Sequence, residues 1–376
     1  MKIAMIGHKR IPSREGGIEI VVEELSRRLA AKGHDVTAYN RKSRHVAGRE
    51  FETGDRISNL DGVKIKWIPT PNSSKLNAIV YSFFATLSAI FGKYDIIHFH
   101  AEGPAAMVRL AKLAGKTCVV TIHGLDWQRA KWGGFATRFL KYGESTAAKY
   151  ADEIIVLSRN VQQYFRDTYN RETIFIPNGI SRPSKAGDRE INKIFGLEKD
   201  GYILYLGRIV PEKGIHRLID AFKEIKSDKK LVIAGGSSHT REYMQSLQKS
   251  AESDARIVFT GFVQGQILDS LYSNAYIYCL PSDLEGMPIS LLEAMSYGNC
   301  CLTSDIPECT EVCADKAVYF EKGNTQSLKE RLEELLSSPD TIEKYRKDSA
   351  PYILSSFNWD DVTEQTLQVY KDTLYE

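Results

Sequence analysis

Three stretches of this 376-residue chain have residue types and spacings that could do chemistry. The most specific runs from Pro281 through Ser282, Asp283, Leu284, Glu285, Gly286, Met287 and Pro288 to Met295. An apolar run ends at Pro281, a turn follows, and Pro288 suits the first position of a helix. Glu285 then stands in the loop ahead of that helix, and Glu293 lies about 1.5 turns inside it. Two carboxylates so placed accept hydrogen bonds from hydroxyls on two parts of one polyol. The N–H groups of the turn suit sugar oxygens or phosphate. Glu293 sits among Leu291, Leu292, Ala294 and Met295, where a carboxylate needs a partner. The second stretch is Gly207-Arg208-Ile209-Val210-Pro211-Glu212-Lys213-Gly214. Arg208 as a planar fork and Lys213 as a point charge can bracket a diphosphate. The third is Ser13-Arg14-Glu15-Gly16-Gly17-Ile18-Glu19, where a glycine pair lets backbone N–H groups approach an anion at a helix N-terminus. It is not a GxGxxG fingerprint, and no GxxxxGK[ST] loop occurs.

These stretches need strands and helices to hold them. Short apolar runs at 2–7, 35–40, 63–68, 95–100, 117–122 and 153–158 read as strands. Ile18, Val22, Leu25 and Leu29 recur at helical spacing, predicting a helix over 18–32 that Gly33 stops. Ile79 to Gly92 is apolar and suits a buried or interfacial helix better than a membrane span. The pattern restarts near 200, with strands at 201–207, 230–236, 256–262, 275–281 and 298–304 and a helix near 216–225. Strands alternating with helices predict an α/β fold of two doubly wound parallel sheets facing a central cleft, with ligands at the strands' C-terminal ends. The segment from Pro177 to Asp188 reads as a linker. The expected division is 1–180 and 181–356, with a terminal helix at about 357–376 whose partner spacing alone does not decide.

Composition narrows the class. A chain of this length carries about two domains, and 43% hydrophobic with 26% charged residues is ordinary globular composition. The net charge of +2 excludes a strongly basic nucleic-acid binder, but it is unevenly spread: residues 1–180 carry +10 and 181–376 carry −8. Such asymmetry suits a first half that meets a bilayer or a phosphate-bearing substrate. Arg129, Lys131, Arg138 and Lys141 interleave with Trp127, Trp132, Phe135 and Phe139, a mixture fit for a membrane surface or a lipid-pyrophosphate. The six cysteines form no CxxC pair, which predicts a reducing, cytoplasmic setting. No secretory leader is expected from the apolar start at Met1–Gly7. His98 and His100 share one strand face, but no third ligand is near in sequence, so no metal is expected.

Taken together, the E-x7-E element, the GRxxxEKG loop and the early GGxE turn resemble those of retaining GT-B glycosyltransferases of family 4. MIGHKRIPSREGGIEIVVEEL and His123-Gly124-Leu125-Asp126-Trp127 are similar to a subgroup that includes bacterial rhamnosyltransferases of surface-polysaccharide assembly. The resemblance implies a nucleoside-diphosphate sugar donor, UDP- or dTDP-linked, with dTDP-rhamnose among them. It also implies a saccharide or lipid-linked saccharide acceptor and no cofactor. By matching position, Glu293 is expected to hold the ribose hydroxyls, and Glu285 the transferred sugar beside the backbone of Gly286, Met287 and Pro288. Arg208 and Lys213 are expected to neutralise the leaving diphosphate, Gly16 and Gly17 to face the same phosphates, and His123 to lie near the reacting centre. The C-terminal helix is expected to cross back to the first domain. Asp283-Leu284-Glu285 only superficially resembles the metal-binding DxD of the other glycosyltransferase fold. Ser237-Ser238 depart from the family's usual Gly-x-Gly-Pro loop at the position of the base contacts. An epimerase of the same fold and a non-catalytic sugar-nucleotide sensor are the alternatives.

Overall fold

The computed structural model describes residues 1–42, 56–71, 76–128, 133–236 and 240–375. The chain divides into two compact units, Met1–Gly179 with Trp359–Glu376, and Ile180–Asn358.

The first unit is built on strands β1 (Lys2–Ile6), β2 (Asp35–Arg41), β3 (Asn59–Leu60), β4 (Val63–Ile68), β5 (Ile96–His100), β6 (Thr117–Ile122), β7 (Glu153–Val156) and β8 (Ile174–Phe175). Their order across the sheet is β3-β4-β2-β1-β5-β6-β7-β8. All neighbours pair parallel except β3 with β4. Helices α1 (Gly17–Ala31), α2 (Asn77–Ile90), α3 (Glu102–Ala105), α4 (Val108–Leu113), α5 (Gly134–Tyr150) and α6 (Arg159–Tyr169) connect the strands. One apolar core joins Ile97, Phe99, Val120 and Ile154 of the sheet to Tyr81, Ala85, Val108, Ala147 and Phe165 of the helices above it. Near-continuous apolar strands are what a sheet covered on both faces requires.

The second unit has α7 (Arg189–Phe195), β9 (Tyr202–Leu206), α8 (Ile215–Glu224), β10 (Lys230–Ala234), α9 (Arg241–Ala251), β11 (Ile257–Gly261), α10 (Gln266–Asn274) and β12 (Ile277–Leu280). It continues with α11 (Ile289–Tyr297), β13 (Cys300–Ser304), α12 (Pro307–Cys313), β14 (Val318–Phe320), α13 (Thr325–Leu336) and α14 (Pro339–Ser356). Its sheet is parallel in the order β11-β10-β9-β12-β13-β14.

The terminal helix α15 (Trp359–Tyr375) belongs to the first unit. It lies on α1, where Arg28 pairs with Asp360 and Lys32 with Glu364. The chain changes unit at two places. Gly179 abuts the backbone of Trp359 so closely that an added Cβ would lie 2.6 Å from its nitrogen. Ile180 N–H donates to the Phe357 carbonyl at 2.8 Å.

Two local expectations need correction. The apolar run 153–158 stops being a strand at Val156, because Ser158 caps α6, its Oγ accepting from Val161 N–H at 3.3 Å. Pro288 is not the first helical residue: its ψ of 99° is extended, it caps α11, and the helix starts at Ile289. The short β3, β8 and β14 carry too little periodicity to be seen in sequence, and only pairing with a neighbour defines them. Among the described residues no helix is long and apolar enough to cross a membrane.

Candidate functional site

In the second unit the candidate residues gather at the C-terminal ends of β9 and β12, which are adjacent strands. After β9 the chain makes a short 3-10 turn over Pro211–Lys213 and opens α8 at Gly214. Gly214 has φ +65°, and an added Cβ would lie 2.0 Å from the Pro281 carbonyl oxygen. Only glycine fits a left-handed residue against another backbone at that distance. The close approach brings the two candidate loops together, and Asp283 N–H donates to the Glu212 carbonyl at 2.8 Å.

Side chains complete the joint. Lys213 Nζ donates to Glu285 Oε1, forming an ion pair whose side chains are 12% and 8% exposed. Ser282 Oγ donates to the same carboxylate oxygen at 2.6 Å. Arg217 pairs with Asp283 beside it. Arg208 is half-buried, and its carbonyl accepts the Tyr205 hydroxyl at 2.8 Å. Gly286, Met287 and Pro288 are buried in the turn. Glu293 finds its partner in Tyr272, whose hydroxyl donates to Oε2 at 3.0 Å. Tyr272 stacks on Tyr297 with ring centroids 5.2 Å apart. Burial, and then the Glu293 carboxylate, push the Tyr272 phenol well above its ordinary range, so it stays a donor. Helices α8 and α11 both start at this end of the sheet, so their N-termini favour negative charge here.

In the first unit the candidates lie at the ends of β1, β5 and β6, again neighbours. Gly16 caps α1, with the Glu19 carboxylate beside it. Glu19 is buried and accepts Lys9 N–H at 2.9 Å. Burial pushes Glu19 up, but the charge of Lys9 and the hydrogen bond from its backbone N–H outweigh it and hold the carboxyl below its usual range. The Gly16-Gly17 turn therefore carries a buried anion of its own.

His123 follows β6 and is buried. Its Nε2 lies 3.1 Å from Nδ1 of His100, the last residue of β5. His98 sits against His100 with ring centroids 4.1 Å apart. His98 is held by the Tyr370 hydroxyl on Nδ1 at 2.6 Å and by Thr121 Oγ1 on Nε2 at 2.7 Å. Burial lowers His98 to about 3, and His100 well below its ordinary value, with neighbouring imidazoles adding to both. His8, bonded to Asn40, is lowered to about 4 by burial. His8, His98 and His100 are thereby held as neutral hydrogen-bonding groups. Among the described residues no group of three or more His, Cys, Asp or Glu has a metal-holding arrangement.

Sequence reasoning missed several members. Ser282 and Tyr272 are anchors visible only once the loops fold. His8 stands two residues after β1 in the string Gly7-His8-Lys9, a placement that could have flagged it. Glu102, after β5, is fully buried. Burial, then Asp126 and Glu144, push its carboxyl up strongly, so it is a neutral acid. Glu144 accepts from Trp127 Nε1 at 2.9 Å, Tyr164 at 2.8 Å and Tyr169 at 2.6 Å. The basic-aromatic expectation falls partly on Arg129, Lys131 and Trp132, which lie outside the described residues, as do Ser237 and Ser238.

Two parallel-sheet units with their candidate residues at strand ends define an α/β enzyme-like architecture, and comparison with known proteins identifies it. Residues 15–182 match the model of Glycosyltransferase Family 4, and residues 188–350 match that of Glycosyl transferases group 1. An alpha-maltose-1-phosphate synthase of Mycolicibacterium smegmatis is 25% identical over 99% of this chain and 99% of its own. A sucrose-phosphate synthase from Thermosynechococcus elongatus superposes with a TM-score of 0.84, at 21% identity, over 99% of this chain and 98% of that one. HepE of Anabaena, crystallised with UDP and glucose, gives 0.81 at 16% identity over 99% and 100%. The chain belongs to the family 4 glycosyltransferases and has the GT-B fold.

Proposed function

We propose that the protein is a retaining glycosyltransferase that moves a hexosyl or deoxyhexosyl group from a UDP- or dTDP-sugar, dTDP-rhamnose among the candidates. The acceptor is a saccharide or lipid-linked saccharide of polysaccharide assembly, met by peripheral contact with a membrane surface. The observation that carries the reading is the half-buried Lys213–Glu285 pair, held where two helices begin, with Glu293 eight residues on. The UDP and glucose of the HepE complex support the donor class.

In this mechanism an arriving diphosphate takes Lys213 as its counter-ion, with Arg208 as a fork on the same charge. Lys213 then releases part of its hold on Glu285, and that carboxylate accepts hydroxyls of the transferred sugar beside Gly286, Met287 and Pro288. Glu293, oriented by Tyr272, accepts the ribose hydroxyls. Gly16 and Gly17 offer backbone N–H groups to the phosphates. His123 donates to the sugar near the reacting carbon. The sugar C1–O bond to phosphate breaks as the acceptor oxygen forms its bond to C1 on the same face. The acceptor proton goes to the departing diphosphate oxygen. Glu285 orients and does not act as nucleophile. The protein's work is positioning and charge stabilisation.

The test is release of nucleoside diphosphate from a panel of UDP-, dTDP- and GDP-sugars, with and without lipid-linked acceptor extracts. Release from one donor, amplified by acceptor, with the anomeric configuration preserved in the product, is the expected result. Acceptor-independent release would replace transfer with epimerase-like chemistry. Tight donor binding with no turnover under any acceptor would leave a sensor.

A further inference from the structure

We propose that helices α2, α4 and α5 form a surface that docks on an anionic phospholipid bilayer, with α2 lying in the interface. The proposal gives the peripheral contact of the reading above a place, and it is testable without any donor. At 100° per residue, Leu76, Val80, Phe83, Leu87 and Phe91 fall within an arc of roughly 80° on α2 and its two caps. The opposite side carries Tyr81, Ala85 and Ala89, all fully buried in the core. The outward stripe is therefore as apolar as the inward one. Leu76 is 54% exposed, Phe84 51% and Phe91 86%.

The neighbours extend it. Helix α2 packs on α3 and α4, which in turn pack on α5. Leu113, at the end of α4, is exposed, as are Phe135 and Tyr142 on α5. Among the described residues, the remaining exposed large hydrophobics are Ile194 and Tyr375, on other elements. A patch of this kind marks an interaction site.

Charge selects the occupant. Helix α2 has no charged residue. The exposed Arg109 on α4 and the exposed Arg138, Lys141 and Lys149 on α5 are all basic. The acids of this layer, Glu102 and Glu144, are fully buried. On α1 and α15 of the same unit, by contrast, both signs mix in pairs such as Arg28–Asp360. Exposed phenyl rings on a layer of helices whose own exposed charges are basic fit an anionic headgroup layer. A second copy of the chain fits poorly, because a two-fold contact would set like charges against each other. At 14 residues, α2 is about 21 Å long, short of the roughly 30 Å needed to span, so it lies on the membrane.

The experiment is flotation of the whole protein with vesicles of phosphatidylcholine, alone or with one third phosphatidylglycerol, at low and high salt. Binding to the anionic vesicles, at least tenfold above neutral ones and weakened by salt, is expected. Phe84→Glu with Phe91→Glu should abolish it. Arg138→Gln with Lys141→Gln should weaken it roughly 25-fold, at about fivefold per charge. All four positions are exposed, and unchanged melting temperatures and circular dichroism spectra would show the variants folded. No anionic binding, or equal binding by the variants, overturns the proposal. So does a wild-type dimer that Phe84→Glu with Phe91→Glu disperses, which would make the face a self-interface. A protein that binds vesicles but turns over no donor would overturn the enzymatic reading and leave this one standing.

Discussion

The strand ends of the two units solve the cost of burial in opposite ways. In the first unit most of the buried polar groups give up charge: His8, His98 and His100 are driven neutral and Glu102 keeps its proton, while Glu19 alone of this set stays an anion beside Lys9. In the second unit charge is kept and paired, Lys213 with Glu285 and Arg217 with Asp283. Desolvation disfavours an ion in either place, but a partner with well-aligned hydrogen bonds offsets it. A neutral set suits hydroxyl groups. A paired set can exchange partners when an anion arrives. Under the proposed function, the paired set of the second unit is the one that meets the diphosphate, and the neutral rings of the first unit suit sugar hydroxyls.

The sharpest way to break that comparison is Lys213→Ala. It strands Glu285 without its cation and removes the charge offered to the diphosphate. Turnover should fall by roughly 10²–10³-fold; a folded variant within threefold of wild type would mean the pair is structural only. Next in size is Glu293→Gln, which keeps shape and loses charged hydrogen bonds worth about 1.5–3 kcal/mol. Donor KM should rise about tenfold to a hundredfold with kcat little changed, and a fall in kcat alone would place Glu293 elsewhere in the reaction.

The neutral side is sharpened by pH. His8 and His98 have folded values of about 4 and about 3, below the ordinary 6.5. Below pH 6.5 the unfolded chain takes up protons that the folded one refuses. Their contribution is therefore fully present above pH 6.5 and is lost as pH falls toward those values. His100 acts in the same direction. Glu102 acts in the opposite one, since its raised folded value gives stability that fades as pH rises above the usual carboxylate range. With three histidines against one acid, urea unfolding should show roughly 2–4 kcal/mol lost between pH 6.5 and 5. A flat profile there would mean these rings are not neutral and buried. Smallest is Asp360→Asn. Its pair with Arg28 is 84% exposed on the aspartate side, so the change should cost no more than about 1 kcal/mol in the same assay. A larger loss would give the α1–α15 contact more weight than its exposure suggests.

Much of the architecture was legible in the residues because its signals are local. The run 63–68 and the run 117–122 are strands at the expected bounds, and the helix expected at 18–32 spans Gly17–Ala31. Apolar periodicity is a property of neighbours in sequence, so short segments carry it. The turn at Glu285–Pro288 was visible for the same reason, although Pro288 caps the helix instead of starting it. Glu293 visibly needed a partner, yet nothing near it named Tyr272, twenty-one residues earlier. The helix at 79–92 was legible as a helix, but an apolar run does not say how many of its faces are covered.

By itself, then, the sequence determined the types of the longer strands and of the helices it marked, the repetition of two parallel units, and which residues follow those strands. Tertiary structure decided what those residues meet. It set Lys213 on Glu285 across 72 positions of chain, and His98 on Tyr370 across 272. It assigned α15 to the first unit, and it left one face of α2 apolar and uncovered. The reason is physical: backbone preference and hydrophobic period act over a few residues. Pairing, burial and the protonation states they impose depend on groups that only the completed fold brings within hydrogen-bond reach.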